Sequence, residues 1–268
     1  MRINIPKKAF EFSLKDNEYQ KALNAIRITN NHILITDSKS LLSINCENVE
    51  IDSDGLNLHF NTLKKLVSPL SKLKKCDVLE FEIDFLTPKE MEIYNSNTDK
   101  YEIVNVCEEA KVKCLQNGNV GIIKIHNEAY PQYKEVLKNF KESNLIFKLD
   151  STFAKLKMFK DTRFIMCERQ GDKVFLNAGL AKLNNGGERI KFSQNLFSYE
   201  YNTNEIHNNI ESIFKDKDSF TIILASDKQK VISENEPLEL HYNKDAENGY
   251  LCLFKQGGAS IVECQLTY

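Results

Sequence analysis

The sequence predicts an α+β fold built twice, with antiparallel strands in the majority and a few short helices. Three observations predict it. Runs of β-branched residues are joined by hairpin turns, stretches with an apolar helical stripe separate them, and one order of elements occurs in both halves. The composition agrees: 41% hydrophobic and 28% charged, with ten glycines and five prolines in 268 residues, supports folded cores and excludes collagen-like or disordered chains.

The elements follow in order. The segment from Ala9 to Asp16 reads as a short helix. Residues 26–36 hold two β-branched runs joined at Asn30-Asn31, which is hairpin chemistry. From Asn61 to Lys75 the apolar positions are Leu63, Leu66, Val67, Leu70 and Leu73, whose spacing puts them on one helix face, with Pro69 able to shorten the helix. A strand over 78–83 follows. In the second half, Ala154 to Asp161 again precedes a hairpin, over 164–178. The stripe Ile206, Ile210, Ile213 and Phe214 predicts a helix over 202–215, with Asn202 or Thr203 as N-cap, and 220–225 reads as the next strand. Phe60-Asn61-Thr62 matches Tyr201-Asn202-Thr203, an offset of about 141 residues. The division predicted is a first domain over 1–126, a connector over 127–145 and a second domain over 146–268, with two helices per domain.

Basic and acidic residues number 36 and 38, a net charge of −2, so the chain is no basic nucleic-acid coat and any grip on DNA comes from a local patch. Seven scattered cysteines form no Cys-x-x-Cys pair, and the start, Met1-Arg2-Ile3-Asn4-Ile5-Pro6, lacks the apolar core of a signal peptide. The expectation is a reducing cytoplasm, free thiols and no membrane span. Catalytic chemistry finds no support. There is no phosphate-binding or dinucleotide-binding glycine loop, no His-Glu-x-x-His and no Gly-x-Ser-x-Gly, and the five histidines stand singly. Asp52-x-Asp54-Gly55 is a fragment of a calcium loop and reads as a turn, as do Gly186-Gly187 and Gly257-Gly258. No enzyme, cofactor or metal is expected.

What remains is the placement of lysines. Lys7, Lys8 and Lys15 sit in or beside the first predicted helix, Lys155, Lys157 and Lys160 in its counterpart, and Lys64, Lys65, Lys72, Lys74 and Lys75 in or beside the second. Such faces suit phosphates, but a solvated helix face is the commoner role of lysine, and charge alone leaves both readings open.

Three segments carry a family resemblance. Ala22-Leu23-Asn24-Ala25-Ile26, with Asn31-His32-Ile33-Leu34-Ile35-Thr36-Asp37 and Leu41, is similar to the Pro-Ala-Leu-x-Gly-Val, hairpin and Ala-Thr-Asp-Gly-His-Arg-Leu of bacterial sliding DNA clamps. Here Lys21 stands in place of the Pro, and Ser38-Lys39-Ser40 in place of Gly-His-Arg. Tyr130-Pro131-Gln132-Tyr133-Lys134-Glu135-Val136-Leu137 resembles the clamp's interdomain joint, with Gln132 replacing an Asp and Lys138 a Pro. Pro237-Leu238-Glu239-Leu240-His241-Tyr242 and Gly249-Tyr250-Leu251-Cys252-Leu253-Phe254 look like the closing hairpin of eukaryotic and archaeal clamps. The tail from Ser260 to Leu266 reads as one more strand.

The resemblance implies the clamp fold and a non-catalytic ring around double-stranded DNA that acts as a processivity factor, indifferent to base sequence. A two-domain chain would need three copies for the usual six domains, so a homotrimer of phage or mobile-element type is expected. Lys7, Lys8, Lys64, Lys65, Lys72, Lys155, Lys157 and Lys160 would face DNA. Thr36, Asp37, Lys39, Leu41, Pro131, Tyr133, Val136, Leu253 and Phe254 match the cleft in which polymerase and clamp loader dock short peptides. The alternative is a structural β-rich oligomer, such as a virion or tail component, with no DNA-encircling role.

Overall fold

The computed structural model describes residues 1–38, 40–48, 50–51, 55–73, 75–95, 99–131, 133–138, 145–149, 163–170, 173–183, 190–202, 219–224, 236, 238–243 and 251–264. The chain divides into two compact units. The first is Met1–Phe10, Leu14–Ser38 and Leu42–Pro131, and the second is Glu11–Ser13, Lys39–Leu41 and Gln132–Tyr268.

The first unit runs β1 (Arg2–Pro6), β2 (Ala25–Ile28), β3 (His32–Thr36), most of β4 (Ser40–Asn45), β5 (Leu56–His59), α1 (Phe60–Leu66), β6 (Val78–Phe85), β7 (Lys89–Asn95), β8 (Lys100–Val106), β9 (Glu109–Cys114) and β10 (Val120–Lys124). One sheet has the order β1-β6-β9-β10, another the succession β4-β3-β2-β5, and β7 pairs only with β8 among the described strands. Alternation explains the first sheet. Ile3 and Ile5, then Leu79, Phe81 and Ile83, then Ala110, Val112 and Cys114 are buried, while Arg2, Asn4, Glu80, Lys111 and Lys113 between them are exposed. The register sets Ile3 opposite Phe81 and Phe81 opposite Cys114, so the apolar rows fall on one face.

The expected helices are shorter than their stripes. Lys7–Glu11 forms a 3-10 turn where the sequence predicts a helix from Ala9 to Asp16. The helix predicted over 61–75 breaks into α1 and a 3-10 turn at Leu70–Leu73. Pro69 is the reason, since it has no amide hydrogen and disfavours helical geometry at Ser68. Lys72 therefore leaves the helix that holds Lys64 and Lys65.

The second unit holds α2 (Tyr133–Lys138), β11 (Leu145–Leu149), β12 (Arg163–Gln170), β13 (Lys173–Leu183), β14 (Ile190–Asn202), β15 (Ser219–Leu224), β16 (Leu238–Asn243), β17 (Leu251–Gln256) and β18 (Ala259–Cys264). Its strands follow one another as β14-β13-β12-β15 and β11-β16-β17-β18. Those orders repeat β4-β3-β2-β5 and β1-β6-β9-β10, so the duplication is topological. It also corrects the internal alignment. β15 holds the place of β5, and the counterpart of β6 is β16, not the strand at 220–225. Asn202 closes β14. Periodicity identifies a strand, but hydrogen-bond partners decide its place, and β7 and β8 lengthen the first unit between matched strands. The segments 203–215 and 154–161, read as helices, lie outside the described residues.

Candidate nucleic-acid interface

In the first unit the lysine-bearing segments are held together by aromatic packing. Phe10 stacks on Phe60 with ring centroids 6.2 Å apart, and Phe10 also meets Phe81 at 6.0 Å. All three rings are fully buried. The turn with Lys7 and Lys8 thus lies beside α1 with Lys64 and Lys65; the turn rests on β6 through Phe10 and Phe81, and α1 packs on β10, where Leu66 meets Gly121. Lys7 Nζ donates to the carbonyl of Leu73 at 3.0 Å, which ties in the 3-10 turn carrying Lys72. Lys64 Nζ sits 5.4 Å from the Phe60 ring centre, a cation–π contact. Lys65 and Lys72 are exposed, and Lys8 is half-buried. Five of the eight lysines expected to face DNA therefore sit on three neighbouring segments of one unit. Lys155, Lys157 and Lys160 lie outside the described residues.

Side chains fix both ends of α1. His59 Nδ1 accepts from the Thr62 amide at 3.3 Å as N-cap, and Asn61 Nδ2 donates to the Leu14 carbonyl and to Asp16 Oδ1. At the other end Asn117 and Asn119, in the β9–β10 turn, each donate a side-chain N–H to the Leu66 carbonyl at 2.8 Å. Gly121 on β10 lets the helix approach, since a Cβ there would come within 2.9 Å of Leu66 Cδ2. Two histidines border a cavity of about 670 Å³ beside the helix start. The rings of His59 and His126 are 5.5 Å apart, and His59 Nε2 lies 3.7 Å from Asp16 Oδ1. Burial, and then the neighbouring His59, hold the His126 pKa below the usual histidine value, and its buried Nε2 has no hydrogen-bond partner among the described residues. Neither histidine was singled out in the sequence. Each stands alone there, and only the fold makes them neighbours. No group of three metal-ligating side chains is found among the described residues.

The segment leading to the connector is anchored inside the first unit. Arg27 donates to Asn57 Oδ1 at 3.0 Å and lies 5.6 Å from the Tyr130 ring centre, while Asn57 Nδ2 donates to the carbonyls of His126 and Glu128. Of the residues matched to a peptide cleft, Thr36 ends β3 and is buried, Asp37 follows it half-buried, and Pro131 is exposed. In the second unit Leu41 and Leu253 are buried, Tyr133 and Val136 are half-buried on α2, and Phe254 is in β17. Lys39 lies outside the described residues. Of the matched residues in the connector, Pro131 is the exposed one, and Tyr133 and Val136 are half-buried.

No family profile matches the chain, and no curated protein matches it in sequence. Solved structures do match. The Helicobacter pylori beta clamp, solved with a DNA ligase peptide, aligns over 100% of this chain and 66% of its own at 14% identity and a TM-score of 0.56. DNA polymerase III subunit beta from Borrelia burgdorferi covers 100% and 63% at 13% identity and 0.56, and the Caulobacter crescentus beta sliding clamp 100% and 65% at 14% and 0.55. The chain therefore has the fold of the sliding clamps, and spans about two thirds of the length of these structures.

Proposed function

We propose that this chain is a sliding clamp that encircles duplex DNA and tethers a replicative polymerase without catalysing a reaction. The observation that carries the reading is a unit of clamp topology made twice, with lysines on three neighbouring segments of the first. A ring holds DNA by closure, so its contacts need only be cationic and mobile, directed at phosphates and indifferent to base sequence. Lys7, Lys8, Lys64, Lys65 and Lys72 would supply them, with Lys155, Lys157 and Lys160 as the second unit's contribution.

Closure needs free strand edges. β10 and β14 each end their sheet among the described strands. Antiparallel pairing of one copy's β10 with the next copy's β14 would bury both edges and propagate head to tail. Three such copies supply six domains. Polymerase and clamp loader would dock short peptides at the connector, where Pro131 is exposed and Tyr133 and Val136 are half-buried; Thr36, Asp37, Lys39, Leu41, Leu253 and Phe254 complete the set.

Two measurements test this. Sedimentation should give a species near 93 kDa, three times the 30.9 kDa chain. Protein loaded on nicked circular DNA should stay through a high-salt wash and be lost when the circle is cut. A stable monomer that leaves circular and linear DNA alike would refute the proposal.

A further inference from the structure

The hairpin of β7 and β8 has no role in the clamp topology just described. It is inserted between β6 and β9, while the matching stretch of the second unit, residues 244–250 between β16 and β17, is too short for two such strands. The register sets Glu90 opposite Asn105, Glu92 opposite Ile103 and Tyr94 opposite Tyr101, so these six positions share one face of the ribbon. Ile103 is 74% exposed and Tyr101 68%, and Glu90, Glu92 and Asn105 are exposed around them. On the other face Lys89 pairs with Glu108 at 2.8 Å, so that cation is already matched. β7 and β8 bond only to each other, which leaves each strand one outer edge among the described strands.

Apolar side chains this exposed on an open two-stranded ribbon mark an interaction surface or an aggregation hazard. Charge selects the occupant. The face with Ile103 and Tyr101 is acidic, through Glu90 and Glu92, so it repels nucleic acid and a second copy of itself. We propose that it docks an extended segment of a partner protein in which basic and apolar residues alternate. Such a segment, lying along this face between the two strands, turns alternate side chains to either side, basic ones toward Glu90 and Glu92 on β7 and apolar ones toward Ile103 and Tyr101 on β8. This surface is separate from the lysines proposed to face DNA.

The probe is a fluorescein-labelled seven-residue peptide alternating Lys and Leu, titrated against the full chain by anisotropy, beside the same peptide with Glu in place of Lys. The Lys peptide should bind, weaken with salt, and slow amide exchange within residues 89–106, while the Glu peptide should not bind. The double variants Tyr101→Ser/Ile103→Ser and Glu90→Lys/Glu92→Lys should each reduce affinity at least tenfold with circular dichroism unchanged. Equal binding by parent and variants, or protection mapping elsewhere, overturns the proposal. So does self-association that disappears in Ile103→Ser, which would make a second copy the occupant.

Discussion

Reversing Lys8, Lys65 and Lys72 to Glu separates charge from architecture. Lys7 and Lys64 are unsuitable, because one holds the Leu73 carbonyl and the other lies over Phe60. Lys65 and Lys72 are exposed and Lys8 half-buried, so the triple variant should melt close to the parent. Each lysine–phosphate contact contributes a slope near −0.9 to log K against log salt, so losing the three of a single copy flattens it by roughly 2.7, and a ring of three copies loses at least that. Over a fourfold rise in salt, the parent should lose at least about 40-fold more affinity than the variant. Anisotropy on duplex DNA between 50 and 200 mM salt reads this directly, and two unrelated base sequences should respond alike. The control is Lys111→Glu/Lys113→Glu. These exposed lysines alternate with the buried face of β9, on which the helix side of the sheet packs. If the control flattens the slope as much as the triple variant, or the triple variant leaves it unchanged, the lysines near α1 are only a solvated face.

Three other outcomes are expected. Phe10→Ala should lower stability by about 3–5 kcal/mol in urea unfolding, because it empties the site between Phe60 and Phe81. Gly55→Ala should lower it by about 1–3 kcal/mol, and by more than Gly118→Ala: both glycines have positive φ, but a Cβ at Gly55 would meet the Ile28 carbonyl at 2.8 Å whereas Gly118 faces open space. Stability should fall as pH drops through the ordinary histidine pKa of about 6.5 and level off below the folded-state value of His126. The unfolded chain binds that proton first, because burial and His59 depress the folded pKa. His126→Asn should flatten the pH dependence of the urea midpoint, and an unchanged profile would assign it to other groups.

The sequence made strands and core legible where one face is buried. The hairpin at Asn30-Asn31 appears as β2 and β3, the strand over 78–83 as β6, and the closing hairpin and tail as β16, β17 and β18. Alternation is a local property and survives translation into structure. Partnership is not local. The match of Tyr201-Asn202-Thr203 to Phe60-Asn61-Thr62 is real in composition, yet Tyr201 and Asn202 extend β14 through pairing with Val174 and Lys173. The lysine grouping was half legible. Spacing put Lys64 and Lys65 on a helix, but only the Phe10–Phe60 stack brings Lys7 and Lys8 beside them. Likewise nothing in the separate occurrences of His59 and His126 announces that their rings meet.

The proposed topological function also accounts for a fold recognisable at only 14% identity in the aligned Helicobacter pylori clamp. Enzymes fix residue types at reacting atoms, whereas a ring requires closed sheets, packed helices and a cationic lining. Each requirement can be met by many sequences. Apolar residues of similar volume can exchange in the rows that hold Ile3, Phe81 and Val112, and lysines can move by a helical turn without leaving the lining. Glycine is constrained more tightly where backbones approach, as at Gly55 under the Ile28 carbonyl. On this argument, exchanging Lys65 and Leu66 would harm the protein through packing at Gly121, since a lysine would replace the leucine that lies against it. Moving the charge from Lys65 to Ser68, exposed three residues further on, would leave DNA retention near the parent level. The double variant Lys65→Asn/Ser68→Lys, assayed on nicked circles, distinguishes the cases. Retention lost to the same degree as in Lys65→Asn alone would mean a contact at a fixed position, and would contradict a diffuse lining.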